Sequence, residues 1–248
     1  MPHFFVNSSD RIENKIVISD KENYNHIARS LRAKKGEKLL LIDENQIQYE
    51  TVITDIDKQK IEVRIEKNYK SERDLDFNLY LAQSPLRSDA QNFVIEKATE
   101  LGVRGVYPVV TDNCALNPAV INKKTEKWQK IMYEASKQCE RAIVPKCFEV
   151  TGLENLLKAK TFDKVVAFCE RNSTLTFHDY FVQSPVKSGE SLLVIIGPEG
   201  GFSQKEFEIF DSHNIPKLTL GNLILKAETA VTVALGNIIY EYQNHGKN

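Results

Sequence analysis

Two stretches of the chain combine residue types whose spacing could do chemistry. Residues 192–203 read LLVIIGPEGGFS, and residues 218–235 read LTLGNLILKAETAVTVAL. The first opens as an apolar, β-branched run of strand length and stops at Gly197, Pro198, Gly200 and Gly201. A buried strand therefore delivers the chain into a tight loop. Ser203, with Glu206 three positions later, fits an N-cap and its capping-box acid, which predicts a helix over 204–213. Glycines admit a ligand to the main chain without a Cβ in the way, and a helix start presents unpaired N–H groups. The loop could thus hold a small molecule close to its backbone, although the same residues also make a sound strand–helix turn.

Other chemistries find little support. The four cysteines, Cys114, Cys139, Cys147 and Cys169, are scattered, with no CxxC pair and no histidine at ligand spacing. They read as free thiols in a reducing cytoplasm, with no metal site. Neither a dinucleotide GxGxxG nor a phosphate-loop GxxxxGK[ST] occurs. His178, His213 and His245 have no acidic or nucleophilic partner at telling spacing and are assigned no role. The N-terminus lacks a cationic start followed by an apolar core, and no apolar run approaches the roughly 20 residues that cross a membrane. A soluble, cytoplasmic protein without membrane contact is expected.

Net charge is −1 over 248 residues, so local patches matter more than the total. Residues 29–38 hold five basic side chains against one acid, and residues 120–147 hold seven against three. A phosphate backbone needs such patches, although a solvated helix face also produces them.

The elements that must position these groups fall into two series. Residues 4–6, 15–19, 38–43, 47–54 and 60–67 alternate as short strands, interrupted by a helix over 23–32 whose polar face carries His26, Arg29 and Arg32. This predicts a small β-barrel over 1–70. The charged segment 68–76 reads as a linker. Beyond it, strands at 78–83, 105–111, 164–170, 192–196 and 217–220 alternate with helices at 90–101, 125–141 and 228–242. That pattern predicts an α/β domain over 71–248, its mostly parallel sheet covered on both faces. Ligands of such sheets bind beyond the carboxyl ends of the strands, where Glu170, Gly197 and Gly221 fall.

Taken together, EKATELGV at 96–103, EASKQCERAIVP at 134–145, IGPEGGFS at 196–203 and LGNLILKAETAVTVAL at 220–235 stand behind a β-rich segment containing HIARSLRAKKGE at 26–37. This ordered set closely resembles the bacterial small-subunit ribosomal-RNA uridine-N3 methyltransferases of the SPOUT superfamily, over nearly the whole chain. The resemblance implies a PUA-like RNA-binding barrel followed by a methyltransferase domain with a C-terminal trefoil knot, a feature that general topology rules would not propose. It implies S-adenosyl-L-methionine as cofactor, held by Glu170, Ile196, Gly197, Pro198, Glu199, Gly200, Gly201, Leu220, Gly221 and Leu225. It also implies small-subunit rRNA or the small subunit as partner, and a homodimer whose interface completes the site. His26, Arg29, Arg32, Lys34, Arg87, Gln138 and Arg141 are the expected RNA contacts.

Methylation at uridine N3 requires loss of the N3 proton. A cation that stabilises the imide anion would help, as would a carboxylate that takes the proton. Arg141 and Lys226 are the candidates for the first role, Glu199 and Glu228 for the second. The bland readings are a carboxylate satisfied by its own loop for Glu199 and a first-turn helix acid for Glu228. Leu223 and Lys226 stand where the family commonly has arginines. Lys226 keeps a charge without the planar fork, and Leu223 keeps neither. A ribose 2′-O-methyltransferase of the same superfamily is the alternative enzyme, and a non-catalytic rRNA-binding or ribosome-assembly module the alternative of another class.

Overall fold

The computed structural model describes residues 1–159, 161–173 and 175–245, without the side chain of His245; the expected second domain's last residues, 246–248, lie outside the described residues. In chain order the strands are β1 (His3–Phe5), β2 (Arg11–Ile12), β3 (Lys15–Ile18), β4 (Lys38–Ile42), β5 (Ile47–Ile56), β6 (Ile61–Lys70), β7 (Asn78–Gln83), β8 (Gly105–Val110), β9 (Lys146–Cys147), β10 (Thr151–Gly152), β11 (Lys164–Phe168), β12 (Ser191–Ile196) and β13 (Lys217–Leu218). The helices are α1 (Lys21–Tyr24), α2 (Ser88–Glu100), α3 (Pro118–Gln138), α4 (Leu153–Ala159), α5 (Phe177–Gln183), α6 (Gln204–Ser212) and α7 (Ala227–His245). The chain divides into two compact units, Met1–Asp74 with Ser136–Ile143, and Leu75–Ala135 with Val144–Asn248.

The first unit contains a six-stranded sheet in the order β1-β4-β5-β6-β3-β2, antiparallel except for the β1–β4 pair. Alternation along the strands buries Ile16, Ile18, Leu39, Leu41, Ile53, Ile61 and Val63 in one core with Phe4 and Ile27. The helix expected over 23–32 begins instead as α1, capped by Asp20, whose carboxylate accepts the Asn23 N–H at 2.8 Å, and continues as a π-helical stretch, Asn25–Ser30. Strand β6 extends through Asn68, Tyr69 and Lys70, which pair with Tyr49, Gln48 and Ile47, so the start of the expected linker is ladder, not linker. Its polar composition reflects an exposed strand end.

The second unit contains a seven-stranded parallel sheet, β10-β8-β7-β12-β11-β13, with β9 also against β8. Strand β12 lies in the middle, and its alternate side chains feed two cores. Leu192, Val194 and Ile196 join residues of α2, α3, α5 and α7, while Leu193 and Ile195 join residues of α4 and α6. A near-continuous apolar strand is what burial on both faces requires. On α7 the stripe Val231, Ala234, Leu235, Ile238 and Tyr242 is buried; each large aliphatic member contributes about 1.5–3 kcal/mol relative to exposure.

Helix α3 differs from its expected span of 125–141 at both ends. It starts at Pro118, behind Asn117, whose side-chain oxygen accepts the Val120 N–H at 3.0 Å, a cap-plus-proline start. It stops at Gln138, and Glu140 adopts a left-handed φ of 58°. Arg141 is therefore not a surface helix residue. It follows the helix and is buried, its Nε donating to Asp74 Oδ1 at 2.7 Å.

Candidate functional site

Three loops leave the sheet side by side. Strands β12, β11 and β13 are neighbours, and Phe168 of β11 pairs with both Ile196 of β12 and Leu218 of β13. All three strands thus end at one level, and the loops that follow them surround a cavity of about 670 Å³. Its walls are residues 168–172 after β11, 196–202 after β12, and 219–228 after β13 apart from Asn222, with Phe207 of α6 and Ala230 of α7. A volume of this size suits a small-molecule ligand.

Each loop is held by a local device. After β11, the Ser173 hydroxyl donates to the Cys169 carbonyl at 2.8 Å, and Asn172 takes a left-handed φ of 57°. After β12, Gly201 has φ +70°, and a Cβ there would overlap Glu170 Oε1. This position admits only glycine without strain, for both backbone and space. Phe202 packs beneath Gly197, where an added Cβ would sit 3.2 Å from its ring. Asn113 Nδ2 donates to the carbonyls of Gly200 and Gly201 at 3.2 and 3.1 Å. The expected capping box is present: the Glu206 N–H donates to Ser203 Oγ, and the Ser203 N–H donates to Glu206 Oε2 at 2.7 Å. Glu206 Oε1 also accepts the Asp112 N–H at 2.8 Å, which ties the glycine loop to the end of β8. After β13, Thr219 Oγ1 accepts the Gly221 N–H and donates to the Gly221 carbonyl, both at 3.1 Å, closing a turn in which Gly221 has φ +113°.

The cavity mixes apolar walls with charge. Phe168, Ile196, Leu220, Leu225 and Ala227 line it beside three carboxylates, Glu170, Glu199 and Glu228, and two cations, Arg171 and Lys226. Glu199 and Lys226 are exposed, and Glu228 at the start of α7 is half-buried. Cys169 lies in the wall as a neutral thiol, because burial pushes its pKa up to about 12.

The structure brings together Glu170, Ile196, Gly197, Pro198, Glu199, Gly200, Gly201, Leu220, Gly221, Leu225, Lys226 and Glu228 around this one cavity. Arg141, Gln138 and Arg87 are not among its lining residues. Gln138 is the exposed last residue of α3, and Arg87 is the exposed N-cap residue of α2. In the first unit Arg29, Arg32 and Lys34 are exposed, whereas His26 is half-buried with its ring edge-on to Phe4 at 5.3 Å.

A family model described as an RNA methyltransferase domain matches residues 73–239, and one described as an RNA methyltransferase PUA domain matches residues 18–66. The chain belongs to the RNA methyltransferase family. Among its relatives, the ribosomal RNA small subunit methyltransferase E of Bacillus subtilis is 29% identical over 225 residues, covering 89% of this chain and 88% of that protein. The protein of the same name from Aquifex aeolicus is 28% identical, covering 97% of this chain and 100% of the relative. A Legionella pneumophila methyltransferase structure, solved in complex with the bound cofactor SAM, is similar at TM-score 0.83 and 26% identity, covering 96% and 97% of the two chains.

Sequence reasoning about this RNA methyltransferase missed Arg171, Asn172, Phe202 and Asn113. Arg171 directly follows the strand-end residue Glu170, and that adjacency was the available signal for it. Asn113 had none, because its link to the glycine loop spans about 90 residues of sequence. Among the described residues no cluster of histidine, cysteine or carboxylate side chains could hold a metal, and no helix is long and apolar enough to cross a membrane.

Proposed function

We propose that this RNA methyltransferase uses S-adenosyl-L-methionine to methylate N3 of a uridine in small-subunit ribosomal RNA, as a cytoplasmic homodimer whose C-terminal segment forms a trefoil knot. The observation that carries the reading is the convergence of three strand-end loops on one cavity, in a chain whose relatives are small-subunit rRNA methyltransferases.

The residues present fit such a cofactor. The three glycines Gly197, Gly200 and Gly201 present backbone to the cavity, the apolar side chains Ile196, Leu220 and Leu225 suit a purine face, and three carboxylates suit a cationic centre. Residues 197–201, 220, 221 and 225 with Glu170 would hold it. When bound, that cofactor supplies an electrophilic methyl group on a sulfonium.

The chain's own contribution is position and charge. Loops fixed by Asn113, Glu206 and Thr219 keep the acceptor and donor sites in register, which is where most of the acceleration of an in-line displacement originates. Lys226 and Arg171 are the cations lining the cavity and would stabilise the imide anion. This reading reassigns to them the charge role expected of Arg141, whose guanidinium is buried with Asp74. Glu228 and Glu199 are the carboxylates available to accept the N3 proton. RNA is gripped by the exposed Arg29, Arg32, Lys34 and Arg87.

The test is to incubate the full chain and labelled S-adenosylmethionine with small subunits lacking the modification, then analyse the nucleosides by mass spectrometry. N3-methyluridine is the expected product. A 2′-O-methyl nucleoside, or RNA binding without any transfer, would overturn the proposal.

A further inference from the structure

The first unit carries a concavity of about 520 Å³ that the methyl-transfer site does not use. One wall is Lys21, Tyr24 and Asn25 with Arg29, from α1 and the π-helical stretch; the other is the β5–β6 turn, residues 57–60. The two walls are fixed to each other, because the Tyr24 hydroxyl donates to the Asp57 carbonyl at 2.8 Å. π-Helical turns are rare and concentrate at functional sites, and this one contributes both Asn25 and Arg29 to the wall.

The charge of the concavity is strongly one-sided. It is lined by four cations, Lys21, Arg29, Lys58 and Lys60, and one acid, Asp57. The Asp57 carboxylate is engaged by its own turn, accepting the N–H groups of Gln59 and Lys60 at 2.7 and 2.9 Å. Lys60 is paired with Glu62 at 2.6 Å. Lys21, Arg29 and Lys58 form no ion pair among the described residues, and Lys21 and Lys58 are exposed like Arg29. Three uncommitted cations around a rigid hollow, with amide donors from Asn25 and Gln59, match a phosphodiester with its attached nucleoside far better than a lone ion.

We infer that this concavity is a second RNA contact, seating a phosphodiester of a single-stranded segment through Lys21, Arg29 and Lys58. The inference deepens the proposed function, since it rests on RNA being the target. It also redraws the expected contact set: Arg29 stays, and Lys21, Lys58 and Gln59 enter from elements that the basic run at 29–38 does not include. Phosphate contacts of this kind position the RNA without reading its sequence.

The experiment measures binding of a fluorescein-labelled single-stranded oligoribonucleotide to the full chain by anisotropy, across a range of salt concentrations. The variants are Lys21→Ala/Lys58→Ala and Arg29→Ala, with Lys187→Ala/Lys205→Ala as a surface control in the other unit and thermal melting to verify folding. Each lost phosphate contact should flatten the slope of log affinity against log salt by about 0.7, so the double variant should lose about 1.4. Its affinity at low salt should fall roughly tenfold, and the control should match the wild type. Slopes equal to that of the wild type, or an equal drop in the control, would overturn the inference. Methyl transfer to small subunits is measured in parallel: wild type that shows the salt-dependent binding but transfers no methyl sinks the proposed function and leaves the concavity's assignment standing.

Discussion

Gly201 and Lys226 show how differently two residues of one cavity are constrained. Gly201 is constrained by space and backbone, with φ +70° and no room for a Cβ beside Glu170. Gly201→Ala should lower stability by about 1–2 kcal/mol through the left-handed strain alone, readable as a shift in urea midpoint. It should also weaken cofactor binding, read by calorimetry, because Glu170 must move out of the loop. Unchanged binding would show that the placement of Glu170 in the cavity wall does not matter to the cofactor. Lys226 is held through its main chain, its carbonyl accepting the Ala230 N–H at 2.8 Å, while the residue is exposed at the foot of α7. Lys226→Ala should therefore leave the melting temperature unchanged while lowering kcat by about a hundredfold, the usual contribution of one group acting on developing charge. A variant with wild-type kcat would remove Lys226 from the mechanism. The opposite pattern holds at Cys169, whose thiol, pushed up to about 12 by burial, should resist alkylation at pH 8 in the folded chain.

At the scale of elements, helix α3 illustrates where sequence patterns mislead. Its apolar period and basic faces suggested continuation to residue 141, but the chain turns at Glu140 and carries Arg141 inward. Asp74 receives it: Arg141 Nε donates at 2.7 Å to one carboxylate oxygen, and the Ala142 N–H donates at 2.9 Å to the other. Both side chains are about 5% exposed, which separates this pair from the surface bridges of the chain. Asp74 holds both the Arg141 guanidinium and the Ala142 N–H in a buried site, so Asp74→Ala should cost about 3–5 kcal/mol in equilibrium unfolding. A cost under about 1 kcal/mol, the range of an exposed bridge, would contradict the burial. By contrast, breaking the exposed pair Lys158–Glu154 within α4 should be nearly silent.

For the whole molecule, stability should depend on pH through His3. This imidazole is buried in the first unit, and desolvation lowers its pKa below the ordinary 6.5, against an opposing pull from the Glu140 carboxylate. The folded state therefore binds fewer protons than the unfolded chain between the lowered value and 6.5. Stability rises with pH through that window, is fully present above 6.5, and is lost as pH falls toward the folded pKa. Urea midpoints measured from pH 5 to 7.5 should decline on the acid side. His3→Asn, which cannot titrate, should flatten that decline, and an identical decline in both proteins would exclude His3 as its source.

How much of this was legible beforehand follows from the range of the interactions involved. Local signals were enough for β12, the glycine loop, the Ser203–Glu206 capping box and the two-faced burial of the parallel sheet, because each is decided within a few residues by periodicity, φ preference or capping. The resemblance added the membership that the family models and relatives support. Only the tertiary structure decided that Phe168 pairs with both Ile196 and Leu218, so that loops about 50 residues apart share one cavity. It also decided that Arg141 is sequestered by Asp74 and that Lys21 and Lys58 face one hollow. A strand or a cap is fixed by neighbours in the chain, whereas a cavity is fixed by which strand ends lie side by side, and no local pattern records that.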